Sequence, residues 1–95
     1  MGEASVFVVS MQAVAGPQNA APDGRGYDLL VFARASSEPD AEAAALHGVT
    51  QLGWIHARAL RCAEVLRPDA LPSDFAPSYR RALKGGCAVI VYDEP

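Results

Sequence analysis

The sequence has few of the features that mark exported, membrane-spanning or metal-stabilised proteins. Only two of its 95 residues are cysteines, and Cys62 and Cys87 have neither the spacing of a disulfide framework nor that of a zinc site. The first residues lack the basic start and cleavage site of a signal peptide, and no apolar run approaches the ~20 residues that cross a bilayer. We therefore expect reduced thiols, no cofactor, no bound metal, no membrane association and a cytoplasmic location.

Charge is also scarce and close to balanced. The chain has 8 basic and 11 acidic residues, and its net charge of -3 gives no overall attraction to nucleic acid or to an anionic membrane. A content of 51% hydrophobic and 20% charged residues is typical of a folded globular domain. We predict one domain over residues 1–95, with no nucleic-acid partner.

Two segments near the N-terminus have the composition of buried strands. Residues 4–14 are rich in Val, Phe and Met, and residues 27–35 place apolar side chains on both sides of an extended chain. Between them, residues 15–26 are rich in Gly, Pro, Asn and Asp, which predicts a flexible loop within the domain. Both strands therefore need cover on both faces of their sheet.

A helix is predicted directly after the second strand. Ser36 and Ser37 can cap it, and the following Glu38-Pro39-Asp40 suits a first helical turn. One apolar stripe at helical spacing consists of Ala41, Ala45, Val49 and Leu52, and Gly53 can supply the left-handed cap.

The segment 55–66 is compatible with two structures. Ile55, Ala59, Cys62 and Leu66 have helical spacing, whereas Ile55, Ala57 and Ala59 alternate with His56 and Arg58 as in a strand. We favour the strand, and the slip in alternation near Leu60 then indicates a β-bulge. A continuous second helix remains the alternative.

The last third predicts a short helix and a strand. Ser73 and Asp74 can cap a helix that ends at Gly85-Gly86, and the apolar run from Cys87 to Tyr92 is typical of a strand. The order β-β-α-β-α-β predicts an α/β domain, an α+β two-layer sandwich with a four-stranded mixed sheet and two helices. It resembles the ferredoxin-like class only loosely, because the usual order there is βαββαβ.

No segment has the pattern of a catalytic site. His47, His56 and the two cysteines lack metal-ligand spacing, and no Ser or Cys lies in a nucleophile signature. Gly24-Arg25-Gly26 and Lys84-Gly85-Gly86 do not join a strand to a helix as a phosphate loop does. The sequence therefore predicts no catalytic residue and favours no enzymatic activity.

Two functional hypotheses follow from the two-sided apolar strands and the few cations. The first is a non-catalytic interaction or regulatory module that forms a homodimer and can bind a protein partner, because two short helices cover little more than one face. A helix on each face would be the alternative. The second hypothesis is a binding protein for a small anionic molecule, or a minor enzyme, with Arg34, His56 and Arg58 in a cleft near the 15–26 loop.

Overall fold

The computed structural model describes residues 4–20 and 23–92. Its strands and helices are β1 (Ser5–Ala15), β2 (Gly26–Ala35), α1 (Glu38–Gln51), β3 (Trp54–Glu64), α2 (Ala76–Gly85) and β4 (Cys87–Tyr92). Two 3-10 turns, Pro68–Ala70 and Ser73–Phe75, precede α2. The predicted order of elements is confirmed, and the ambiguous segment after Gly53 is a strand.

The four strands form one open sheet in the order β3-β1-β2-β4, and every neighbouring pair is antiparallel. The prediction of a mixed sheet is therefore wrong for the described strands. β2 and β3 do run in the same direction across the α1 connection, but β1 lies between them. Their parallel relation consequently never becomes a hydrogen-bonded pair.

The two helices lie on opposite faces of the sheet. On one face, α1 packs through Val49 against a core that includes Val9 and Val31. On the other, Ala82 of α2 packs with Val6, Phe32 and Ala88. Of the arrangements that the sequence left open, a helix on each face is the one observed, which adds a third layer to the predicted two-layer sandwich. We call the two faces the α1 side and the α2 side.

Small side chains let α1 approach the sheet closely. Ser37 caps the helix by accepting a hydrogen bond from the backbone N–H of Asp40 at 3.3 Å. Ala41, Ala45 and Val49 of the predicted stripe are fully buried, but Leu52 is 52% exposed. Leu52 forms the C-terminal cap after the last turn of α1, so it no longer follows the helical stripe.

The second helix begins differently from the sequence prediction. Ser73 and Asp74 belong to a separate 3-10 turn, and Phe75 precedes α2 without a side-chain capping hydrogen bond. Gly86 ends the helix in the left-handed conformation, with φ 95°, as the glycine pair predicts. Neither α1 nor α2 is sufficiently long and apolar to cross a membrane.

Candidate functional site

α2 covers only one end of its face of the sheet. It packs over Phe32 and Ala88, while the other end of the same face lies open beside it. We call this surface the open half-face and define it by Gln12, Asp28, Leu30, Arg58, Leu60 and Tyr92. Leu60 is 52% exposed and Tyr92 is 41% exposed, so apolar and polar groups alternate on it.

A polar row crosses the open half-face perpendicular to the strands. The register places Gln12 beside Arg58 on one side and Asp28 on the other, and Tyr92 beside Asp28. Arg58 donates from Nη2 to Oε1 of Gln12 at 3.4 Å, and Gln12 donates from Nε2 to Oδ1 of Asp28 at 3.3 Å. Gln12 thus links a cation on β3 to an anion on β2.

Two irregularities in β3 shape one end of this surface. The register of β1 with β3 shifts between the pairs Gln12–Arg58 and Val14–Ile55. His56 lies in this irregular part of β3 and has φ 54°. A second shift leaves Leu60 unpaired between Ala59 and Arg61, which confirms the bulge predicted near Leu60. A non-glycine residue with positive φ is strained, and such residues are concentrated at binding and catalytic sites.

His56 and Arg58 line the same pocket. Its volume is about 480 Å³, and Gln12, Tyr27 and Asp28 also line it. A second pocket of about 550 Å³ lies next to it, with Leu30, Leu60 and Tyr92 in its wall. The two pockets share Gln12 and Asp28, so the polar row forms the boundary between them.

Arg34 lies far from the other two predicted ligand-binding residues. It is six residues beyond Asp28 on β2, about 20 Å at the rise of an extended strand. Its Nη1 donates to the backbone carbonyl of Leu83 on α2 at 3.3 Å. The structure therefore brings together His56 and Arg58 but separates Arg34 from them, because Arg34 lies at the opposite end of β2, next to α2.

The loop after β1 is fixed to the turn between α1 and β3. The backbone N–H of Gly16 donates to the carbonyl of Gly53 at 3.0 Å, and Nδ2 of Asn19 donates to the carbonyl of Leu52 at 2.9 Å. On the other arm of the loop, Asp23 accepts hydrogen bonds from the hydroxyl of Tyr27 and, at 3.0 Å, from the backbone N–H of Arg25. These hydrogen bonds, that of Tyr27 first, lower the pKa of the Asp23 carboxyl below its ordinary value.

The thiols do not have the environment of reactive cysteines. Cys62 and Cys87 are both free, and three strand spacings of about 4.8 Å separate the outer strands that carry them. An intrachain disulfide would need a much shorter distance. Burial raises the pKa of both thiols, and the charges of Glu38 and Glu42 raise that of Cys62 further. Among the described residues, no group of three His, Cys, Asp or Glu side chains is placed to hold a metal ion.

The two faces of the sheet carry opposite charges. Glu38, Asp40 and Glu42 extend from α1, and Glu64 pairs with Phe7, whose side chain lies on the α1 side. Among the described residues, neither α1 nor the strand positions on its side of the sheet contain Lys or Arg. The cations of the sheet and of α2 belong instead to the α2 side, and they are Arg34, Arg58, Arg61, Arg80, Arg81 and Lys84. This segregation coexists with a small net charge.

Sequence reasoning did not identify Gln12 or Asp28. Each is a polar residue next to an apolar run of its strand, and that interruption was the available signal. Their partnership could not be inferred because it depends on the register of β1 with β2 and β3.

No protein-family model, curated protein or solved structure matches this chain.

Proposed function

We propose that the protein is a non-catalytic interaction module that self-associates as a homodimer through the β3 end of the open half-face, around Arg58 and Leu60. The observation that carries this proposal is the partly apolar area that α2 leaves uncovered, with Leu60 exposed at its β3 end. Exposed apolar groups gathered on one surface and interrupted by polar ones are typical of protein–protein contacts. The hydrogen-bonded row of Arg58, Gln12 and Asp28 adds donors and acceptors to that surface, held in place by their mutual hydrogen bonds.

The chemistry of the described side chains supports a binding role over catalysis. The hydrogen bond from Tyr27 lowers the pKa of the Asp23 carboxyl below its ordinary value, whereas a general base needs a pKa near neutrality. The thiols are shifted away from the reactive thiolate form. The placement of Cys62 and Cys87 on opposite outer strands, too far apart for a disulfide with each other, also supports the proposal of a cytoplasmic location.

Sedimentation velocity over about 5 to 200 µM tests self-association, because an interface at the small end of the size range is expected to dissociate in this interval. We expect the weight-average mass to rise from that of one chain to that of two. A single chain at every concentration would refute the proposal.

Leu60→Ser tests where the contact lies. Removal of an exposed apolar side chain from the interface should raise the dissociation constant about tenfold, the effect of one well-placed contact. Leu66→Ser is the matched control, because Leu66 is 78% exposed and follows the end of β3, outside the open half-face. Equal effects of the two substitutions would exclude the open half-face as the contact.

The pocket of His56 and Arg58 supports a second candidate function, the binding of a small anionic molecule. The supporting observation is that two nitrogen-bearing side chains share one pocket, and that His56 holds a strained backbone conformation there. Asp28 in the same wall opposes an anion, which makes this the weaker candidate. A thermal-shift screen of small carboxylates and phosphates tests it, with Arg58→Gln and His56→Gly expected to remove any stabilisation. A stabilising anion that still acts on both variants would exclude this pocket.

A further inference from the structure

We propose that the two copies pair along the free edge of β3, about a two-fold axis that lies in the plane of the sheet and parallel to that strand. In this pair, Glu38 and Glu42, which form an acidic stripe on α1, contact Arg58 and Arg61 of the other copy. The inference rests on the proposed self-association and specifies its geometry.

The acidic stripe runs along one exposed line of α1. Glu38, Glu42 and Leu46 are spaced four residues apart, which places them in one row on a helix, and all three are exposed. Gly48, on the other flank of the buried stripe of α1, faces Sγ of Cys87 on β4, so this row lies on the flank toward β3. The row ends in an apolar side chain, Leu46.

The matching surface lies on the opposite face of β3. Arg58 bonds Gln12 and Arg61 pairs with Ser10, so both belong to the α2 side, and the bulged Leu60 stands between them. Arg58 and Arg61 are exposed. Two cations and a leucine therefore complement two acids and a leucine, with the sheet edge between the two surfaces.

Symmetry decides how these surfaces can meet. A two-fold axis in the plane of the sheet turns one copy over, so that the α1 side of each copy adjoins the α2 side of the other and opposite charges meet twice. A two-fold axis perpendicular to the sheet would place the two acidic sides together and the two basic sides together, which is repulsive. A face-to-face pair of open half-faces would have to accommodate α2, which stands on the same face.

The bulges of β3 favour contact through side chains at this edge. An edge strand with bulges is a poor template for continuous backbone pairing with another strand. The pair therefore forms across the edge without merging the two sheets. It leaves the β2–β4 end of the open half-face, including Tyr92, exposed.

A charge exchange between two exposed positions tests the geometry. Glu42→Arg and Arg61→Glu each place like charges against each other twice in the dimer, and we expect each variant to raise the dissociation constant at least tenfold. The double variant E42R/R61E restores opposite charges, and its dissociation constant should return to within about threefold of the original. Circular dichroism verifies the fold, and Glu42→Gln with Arg61→Gln replaces any variant that does not fold.

The controls separate this inference from the proposed function. Asp74→Arg and Arg81→Glu change charge by the same amounts in the second 3-10 turn and in α2, away from the β3 edge, and should leave association unchanged. The edge geometry would be overturned if the control variants weakened association as much as Glu42→Arg and Arg61→Glu do, or if E42R/R61E did not recover the original dissociation constant. Self-association itself would then still stand. A chain that is monomeric before any substitution would overturn both.

Discussion

At the scale of single residues, Tyr27 controls the ionisation of Asp23. The phenolic hydroxyl donates to the carboxylate and is the main cause of its lowered pKa. We predict that Tyr27→Phe raises the pKa of Asp23 toward the ordinary value of about 3.9. A carbon-13 NMR titration of the carboxyl group measures the change, and Tyr92→Phe is the control because Tyr92 lies on the opposite face of the sheet from Tyr27.

The same shift fixes the sign of a pH effect. Because the pKa of Asp23 is lower in the folded chain than in the unfolded chain, ionisation of this group favours folding at neutral pH. That contribution is lost as the pH falls below about 4 and passes through the lowered pKa. Tyr27→Phe should therefore reduce the pH dependence of unfolding in this acid range. An unchanged dependence would show that the hydrogen bond does not persist in solution.

Gly53 occupies a position where only glycine fits, because the backbone is left-handed there and another backbone segment lies close to it. Its φ is 87°, and an added Cβ would collide with the backbone nitrogen of Asn19. Gly24 has φ 71° but no atom within 4 Å of such a Cβ. We predict that Gly24→Ala costs about 1 kcal/mol of unfolding free energy, the price of the left-handed conformation alone. Gly53→Ala should cost clearly more, by about 2 kcal/mol or above, because the loop must also move. Urea denaturation of both variants measures the difference, and equal losses would contradict the close approach.

At the scale of elements, the contact of α1 with β4 depends on a glycine inside the helix. A Cβ at Gly48 would lie 2.8 Å from Sγ of Cys87, which is too close without movement of the thiol. Replacement of a helical glycine by alanine otherwise stabilises a helix by about 1 kcal/mol. We predict that Gly48→Ala stabilises the protein in a Cys87→Ala background but not in the original chain. A double-mutant cycle in denaturant measures this coupling, and additive effects would show that the thiol moves freely aside.

The elements also show why some features were predictable from the sequence and others were not. The stripe of Ala41, Ala45 and Val49 and the slip at Leu60 are local patterns, and local patterns determine which residues face a core. The mixed sheet and the third layer depend on which strands become neighbours, and that is decided by long-range packing. The polar row also depends on strand register, so the sequence did not predict Gln12 and Asp28 as part of the site. The alternation of residues in β3 did predict that His56 and Arg58 are candidates.

At the scale of the whole molecule, a small net charge hides an asymmetric distribution. Among the described residues, α1 and the strand positions that face it carry acids but no Lys or Arg, and the α2 side carries most of the cations. The net charge alone gave no indication of electrostatic recognition, because a sum of charges does not show how they are distributed over the surface. A molecule with one acidic and one basic side instead favours ordered contact between copies.

This distribution predicts a salt dependence with a definite sign. Screening shortens the range of exposed charges from about 10 Å at 0.1 M salt to about 3 Å at 1 M. If opposite sides meet in the pair, the dissociation constant from sedimentation should rise about tenfold over that interval, while the unfolding free energy of the monomer changes little. If Leu60 and other apolar groups alone drove association, the dissociation constant would stay the same or fall as sodium chloride is added. The E42R/R61E variant should keep the salt dependence, because the exchange restores the same number of opposite charges in contact.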